Sequence, residues 1–311
     1  MILPFIKTYK KIVILFIILV LFFIYFLNKY NNILDKKNLD IFVSNQIQII
    51  ENELENQKNQ ALSLALMFSR NQEIVKNLEN KNNIELKKEL LKILDIIKTY
   101  TKHDIDVQIH TKNLEVFTRS WEDKDFGENL SSFREGLVKV KTNQKPFVSS
   151  ELGKRFNIKA IAPIYNKNME FIGSIEIIVD FKDLVYRLKS LGISSAILLE
   201  DDFLEIAKLY KNNKRIDNFV VLHNSIDELN DKTLLTLINS DKFFIENSSK
   251  IYSKISLGSF ENKSAGILVL SFDKYIKNFV YLPNYNYHGE IKDSNHTGDI
   301  QNSLEKRIII K

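Results

Sequence analysis

Sixteen consecutive apolar or aromatic residues near the start of the chain constrain its fold more than any other feature. The run extends from Ile12 to Leu27 and has lysines on both sides. It is slightly shorter than the roughly 20 residues that span a bilayer, but flanking lysines and Tyr25 reach the interface and make up the difference. No small-residue cleavage site follows the run, which argues against a removed signal peptide. We therefore expect an uncleaved membrane anchor over residues 1–28.

A long amphipathic segment follows the anchor. Residues 28–68 contain neither Gly nor Pro, and apolar residues recur at spacings of three, four or seven, interrupted only by Gln57. This pattern predicts one stalk helix of about 60 Å. Its apolar face fits a dimer interface and a surface against the chain's own domain equally well. Two shorter helices should complete a helical region over residues 29–101. The apolar positions of the stalk are Leu39, Val43, Ile47, Ile50, Leu54, Ala61, Leu64 and Phe68.

From His103 onward the apolar pattern changes to a period of two, which is typical of strands. "DIDVQIH" and "EVFTRSW" come first, and "KPFVSSEL", "FNIKAIAPIY" and "FIGSIEIIVDF" follow after one helical insert at residues 130–144. This order of helix, two strands, helix and three strands predicts an α+β fold with mostly antiparallel sheets.

The ends of the two halves of this region resemble each other. Asp180 lies seven residues after Gly173, and Asp273 lies seven residues after Gly266, each at the exit of an apolar strand. The element order also repeats, with a connecting helix "KDLVYRLKSLG", the strand "SSAILLED", helical segments and three final strands. We therefore expect two tandem copies of one module, at residues 102–182 and 183–275, followed by a C-terminal tail at residues 276–311.

Composition excludes several classes of function. Cysteine is absent, so disulfides and thiolate metal sites are excluded. The formal net charge is +5, and three lysines precede the membrane run, so the remainder is nearly balanced and gives no indication of a nucleic-acid partner. No phosphate loop, nucleophile elbow or zinc motif is present. We expect no metal, no cofactor and no enzymatic activity.

The segment that contains the single tryptophan has the composition of a small-ligand pocket. If "EVFTRSW" is a strand, Phe117, Arg119 and Trp121 project from one face. Arginine offers planar, bidentate donors to a carboxylate, and aromatic walls exclude water and strengthen that bond. The alternative is structural, with both rings in the core and Arg119 paired with a neighbouring acid such as Asp123, Asp125 or Glu151.

At these residues the chain resembles the extracytoplasmic double Cache sensor domains of bacterial chemoreceptors and sensor kinases. The resemblance extends from about residue 39 to residue 273 and is strongest in the first module. It implies two PAS-like modules on a membrane-anchored helix, the membrane-distal one binding the ligand, and it implies export. The motifs that carry it are "IHTKNLEVFTRSW", "LSSFREGLVKV", "KPFVSSELG" and "IKAIAPIY".

Two departures from the family pattern concern the ligand and the output. The pattern has a glycine after the "ELGKR" position and an arginine where Lys159 stands, so the identity of the ligand stays open. Family receptors also continue into a second membrane span and a signalling domain, and we expect neither in this chain. The candidate ligand-binding residues are His110, Phe117, Arg119, Trp121, Arg134, Glu151 and Lys159.

The sequence therefore predicts a single-pass inner-membrane protein with most of its chain in the periplasm. It should bind a small carboxylate or amino acid for signal transduction or chemotaxis. It should also lack its own output domain. A separate signalling protein is a possible partner, and a homodimer through the stalk helix is one of the two uses of its apolar face. The alternatives are a structural or scaffolding envelope protein with a ligand-dead sensor fold, and a truncated chemoreceptor.

Overall fold

A computed structural model describes residues 3–101, 104–123, 126–230, 232–260 and 263–274. The chain begins with one continuous helix, α1 (Leu3–Ser69), which is roughly 100 Å long at 1.5 Å per residue. Every side chain from Val13 to Leu27 is exposed. By length and composition this part of α1 is a candidate membrane span. The predicted boundary between anchor and stalk at residues 28 and 29 lies inside this helix.

The second half of α1 packs against the chain's own sheets. Its apolar stripe belongs to the main hydrophobic core together with Val107 and Ile109. The predicted apolar face is therefore covered within one chain, and the stalk homodimer stays a prediction. Gln57 is buried in this stripe. The buried apolar residues of α1 are Leu39, Val43, Ile47, Ile50, Leu54, Ala61, Ala65 and Phe68.

Two shorter helices follow α1, as the sequence predicts. Asn71 caps α2 (Gln72–Glu79) because its side-chain oxygen accepts hydrogen bonds from the amides of Glu73 and Ile74. The third helix, α3, extends from Asn83 to Thr101.

The first sheet is antiparallel and has five strands in the order β2-β1-β5-β4-β3. One face packs on α1, and the other packs on α4 (Glu135–Asn143), which forms a small apolar cluster with Ile161. The helical insert was expected to begin at Leu130, but residues 130–134 form turns before α4. The strands are β1 (Ile105–Thr111), β2 (Val116–Arg119), β3 (Phe147–Glu151), β4 (Asn157–Tyr165) and β5 (Phe171–Val179).

The connecting helix α5 (Phe181–Ser190) leads to a second antiparallel sheet, whose order is β7-β8-β6-β11-β10-β9. Its α6 (Lys232–Ile238) covers one face. The helical stretch expected after β6 is limited to two 3-10 turns, and β7 and β8 were not predicted. The strands are β6 (Ser194–Glu200), β7 (Arg215–Ile216), β8 (Phe219–Asn224), β9 (Phe244–Glu246), β10 (Lys250–Phe260) and β11 (Lys263–Asp273).

The internal repeat is visible in the strand pairing. Gly173 in β5 lies opposite Thr111 in β1, and Gly266 in β11 lies opposite Leu199 in β6. Strands β8-β6-β11-β10-β9 therefore repeat the order β2-β1-β5-β4-β3, with β7 added at the edge. The predicted α+β class with two tandem PAS-like modules is confirmed. The exact domain boundaries stay predictions, and α5 crosses the predicted boundary at residues 182 and 183. The tail at residues 276–311 lies outside the described residues.

Candidate functional site

The face of the first sheet under α4 contains buried charged side chains. Arg134 lies directly before α4, where it donates from Nε to Oε1 of Glu151 at 3.1 Å and from Nη1 to Oε2 of Glu176 at 3.3 Å. Nη2 of Arg134 also contacts Oε1 of Glu176. All three side chains are buried. Burial opposes the charge of Arg134, but the carboxylates of Glu176 and Glu151 outweigh it and raise the guanidinium pKa above its ordinary value.

His110 is completely buried beside this triad. Its Nδ1 lies 3.1 Å from Oγ of Ser174, and its Nε2 lies 3.9 Å from Oε2 of Glu176. Burial lowers the pKa of His110 well below its usual range, and the positive charges of Arg134 and Arg119 lower it further. His110 is therefore a neutral ring at physiological pH, available as a donor or an acceptor.

Lys159 is buried on the same face and holds a loop. Its Nζ donates to the backbone carbonyls of Glu151 at 2.7 Å and Arg155 at 2.9 Å. Burial lowers the pKa of Lys159 to about 7, with Arg134 adding to the effect. The lysine therefore fixes the residues that connect β3 to β4 and is poised between its charged and neutral forms near neutral pH.

Arg119 ends β2 and is only 2% exposed. Its Nη1 donates to Oε1 of Glu122 at 2.5 Å, and its Nη2 donates to Oε2 of Glu128 at 2.7 Å. Arg119 is therefore paired with neighbouring acids, but these are Glu122 and Glu128 rather than Asp123, Asp125 or Glu151. Trp121 lies beyond the strand, is 37% exposed, and has its ring centroid 5.8 Å from the Arg119 guanidinium carbon.

Phe117 does not flank Arg119 as the alternation predicts. The register between β1 and β2 shifts at Ile109 and His110, so Phe117 falls in a bulge. Phe117 packs against the main core, whereas Arg119 lies opposite Gln108. One aromatic ring, not two, therefore stands beside the guanidinium.

Several buried polar atoms on the α4 face have no hydrogen-bond partner among the described residues. They are Nε2 of Gln108, Nε2 of His110 and Oε2 of Glu151. Buried polar groups in folded proteins are nearly always paired with protein, water or ligand. This face therefore has unused donor and acceptor capacity as well as charge.

Sequence reasoning missed four residues that shape this site: Glu122, Glu128, Arg155 and Glu176. Glu176 left the clearest signal, because it is the one charged residue within the otherwise apolar or small strand "GSIEIIV". Nothing local distinguishes Arg155, which lies in the loop after β3. Its guanidinium carbon is 4.8 Å from the centroid of the Trp121 ring.

No group of three or more His, Asp or Glu side chains is arranged to hold a metal ion in the part of the chain that the structure describes. The polar face instead presents two arginines, carboxylates and a neutral imidazole within one module. Such a set can bind a small polar molecule by hydrogen bonds and charge complementarity.

Comparison with known families agrees with the fold and the motifs. The model of the double sensory domain of two-component sensor kinases matches residues 38–215, which is more than half of the chain. The chain belongs to this double Cache family of sensor domains. No curated protein sequence shows a significant match to it.

Solved structures with a similar fold are sensor domains of kinases and chemoreceptors. The Vibrio cholerae histidine kinase DctB sensor domain is 13% identical, with 74% of this chain and 95% of that chain covered and a TM-score of 0.43. The Campylobacter jejuni chemoreceptor Tlp3 ligand-binding domain in complex with L-valine is 14% identical, with 78% and 97% covered and a TM-score of 0.42. The Escherichia coli DcuS sensor domain is 16% identical, with 43% and 96% covered and a TM-score of 0.35.

Proposed function

We propose that this protein is a membrane-anchored sensor whose first module binds a small carboxylate or amino acid. The observation that supports the proposal is the buried polar face under α4, where arginines, carboxylates and unpaired polar atoms occupy positions that a purely structural module would fill with apolar side chains. Burying charge in this way contributes little to stability, so a binding role accounts for it better.

Arg119 is the proposed partner of the ligand carboxylate. This assignment is supported by its two terminal nitrogens, which already donate to the carboxylates of Glu122 and Glu128. A ligand carboxylate would take the place of one of these internal acids, and Trp121 would form a wall of the pocket. His110, Arg134, Glu151 and Lys159 would line the polar floor, with Phe117 supporting it from the core side.

The proposed setting is the inner membrane. The exposed apolar part of α1 would cross it once, with both modules on the periplasmic side. The signal would then reach a separate signalling protein, and a second copy of the chain could pair along the exposed side of the stalk. These assignments rest on the family and on the candidate span, and the family is one of sensory domains rather than enzymes.

One observation favours a second candidate function. Arg119 and Arg134 are both paired internally with carboxylates, so the charges of the polar face are largely neutralised without any ligand. A structural envelope protein with a ligand-dead sensor fold would look the same in this respect. Direct binding measurements distinguish the two.

The chain carries its own probe for that measurement, because Trp121 is its single tryptophan and lies beside Arg119. We would titrate the full chain in detergent with the twenty amino acids and with small mono- and dicarboxylates, and record tryptophan fluorescence. A saturable change is expected for at least one compound. Arg119→Lys should weaken that binding by more than about tenfold, because an ammonium lacks the planar array of donors with which the guanidinium would hold the ligand carboxylate and the remaining internal acid at once.

Arg215→Lys is the matched control. Arg215 is ion-paired with Asp201 at 3.3 Å and lies on β7, at the edge of the second sheet. The control should bind like the parent. A panel that produces no saturable change would favour the ligand-dead alternative, and unchanged affinity in Arg119→Lys would remove Arg119 from the site.

A further inference from the structure

The loop between β3 and β4 touches both modules. We call residues 152–156 the connecting segment. On the side of the first module, Arg155 stacks over the Trp121 ring at 4.8 Å and its Nη2 lies 2.8 Å from Oδ2 of Asp106. Arg155 therefore joins the proposed ligand wall to β1.

The next residue, Phe156, faces the second module. Its side chain is buried, and its ring centroid lies 5.3 Å from that of Phe181 at the start of α5. The ring also lies directly against Gly258 and Gly266 in the β10–β11 hairpin. A Cβ added to Gly258 would be 2.9 Å from Cε2 of this ring, and one added to Gly266 would be 3.1 Å from Cε1. The two glycines form a socket for the Phe156 ring, and a larger residue at either position would close it.

The C-terminal end of the connecting segment is held by contacts to both modules. Lys159 holds the backbone carbonyl of Arg155 at 2.9 Å. At the start of β4, Nδ2 of Asn157 lies 3.4 Å from Oδ2 of Asp180, the residue that caps α5. Oδ1 of Asp180 in turn lies 2.7 Å from Nε2 of His223 on β8 of the second sheet. Because these contacts restrain the loop, it cannot absorb a displacement of Arg155.

We infer that the connecting segment transmits the state of the Trp121 wall to the β10–β11 hairpin, with Arg155 as the input and the Phe156 ring in its glycine socket as the output. Packed side chains of this kind shift between discrete arrangements rather than deform gradually. The inference rests on the proposed function to the extent that Trp121 is a ligand wall. The mechanical link itself needs no ligand.

The test is hydrogen–deuterium exchange of the amides of β10 and β11 in the full chain in detergent. Trp121→Ala should accelerate their exchange by about 2- to 30-fold, the range that coupling energies of this kind produce. Phe171→Ala is the matched control, because Phe171 is a partly buried aromatic at the far end of β5 that contacts Tyr165. It should leave the hairpin unchanged.

A second background makes the result specific to the segment. In a Phe156→Leu protein the hairpin should exchange faster from the start, and adding Trp121→Ala should then have no further effect. Arg155→Met, which removes the input without altering Trp121, should reproduce the effect of Trp121→Ala. The inference is wrong if Trp121→Ala and Arg155→Met leave the hairpin unchanged, or if Trp121→Ala acts equally in the Phe156→Leu background.

Failure of this inference and failure of the proposed function are separable. If no compound changes the fluorescence of Trp121 but Trp121→Ala accelerates the hairpin, the link exists in a module that binds nothing from the panel. If a compound binds and neither Trp121→Ala nor Arg155→Met changes amide exchange in the hairpin, the module binds ligand and the connecting segment does not carry the signal.

Discussion

The two modules place opposite chemistry on equivalent faces. Glu176 lies three residues after Gly173 in β5, and Val269 lies three residues after Gly266 in β11. Glu176 pairs across β1 with Gln108, and Val269 pairs across β6 with Ala196. A carboxylate in the first sheet therefore corresponds to a valine in the second.

Other equivalent positions on the two faces show the same contrast between polar and apolar side chains. His110 lies opposite the residue after Gly173, and Leu198 lies opposite the residue after Gly266. Lys159 and Tyr252 also correspond, because each pairs with the residue five positions after its glycine. The face under α6 belongs to an apolar cluster, whereas the corresponding face under α4 contains the buried charges.

This difference separates stability from function. Buried apolar area stabilises at about 25 cal/mol per Å², whereas buried ion pairs roughly cancel their own desolvation cost. The second module therefore has an apolar face that stabilises its fold, and the first has the polar face that we propose binds the ligand. The fold is shared, so the function has to be argued from the side chains of one face.

The largest expected effect comes from removing the central charge of the first module. Arg134→Met leaves Glu151 and Glu176 buried without their cation, which should reduce the free energy of unfolding by about 3–5 kcal/mol. Urea unfolding followed by Trp121 fluorescence reports the first module. Adding Glu176→Val, which places in the first module the valine found at the equivalent position of the second, should restore part of the lost stability. A loss below about 1 kcal/mol for Arg134→Met would mean that water, not Arg134, solvates these carboxylates.

Lys159 should make the first module pH-dependent. Its pKa is about 7 when folded against 10.5 ordinarily, so between these values the unfolded chain binds more protons than the folded one. Stability should therefore rise with pH across this window, by at most about 1.4 kcal/mol per pH unit. As the pH falls towards 7 the stability should decrease again, and below pH 7 Lys159 should add no further pH dependence. Lys159→Met should flatten the slope measured by urea unfolding at pH 7 and pH 9. An unchanged slope would assign the pH dependence to other groups.

The smallest effect on stability should come from Glu128. Its side chain is about one-third exposed and pairs with Arg119 and Lys154. Glu128→Gln should change the free energy of unfolding by less than about 1 kcal/mol, because the buried Arg119 keeps the carboxylate of Glu122 as a partner. If Glu128 competes with the ligand carboxylate for Arg119, the variant should bind that ligand up to about tenfold more tightly in the fluorescence titration. Weaker binding would instead show that Glu128 holds a cationic group of the ligand.

Much of the architecture was predictable from local pattern. The uninterrupted apolar run, the three-four spacing of α1 and the period of two in β1, β4 and β5 each reflect the repeat of a single element. The Gly173–Asp180 and Gly266–Asp273 spacing also predicted two copies of one module. Strand β8 was missed because most of its side chains are only partly buried, so its apolar alternation is weak.

Part of the candidate site was equally accessible. His110, Arg119, Arg134 and Glu151 stand out in the sequence through their motifs, and the structure brings His110, Arg134 and Glu151 together on one face. Phe117 was misplaced because one bulged residue reverses the alternation of a strand. A register shift of that kind arises from the pairing of two strands and cannot be read from the sequence of either strand alone.

The sequence alone determined most of the elements and their order, because each element is set largely by contacts between residues a few positions apart. Only the tertiary structure decided which charges meet. Arg134 and Glu176 are 42 residues apart, and they become a pair because β5 enters the sheet between β1 and β4. The same assembly places Phe156 in the glycine socket and Asp180 beside His223. Such contacts depend on the registers of several strands at once, and no short-range periodicity encodes them.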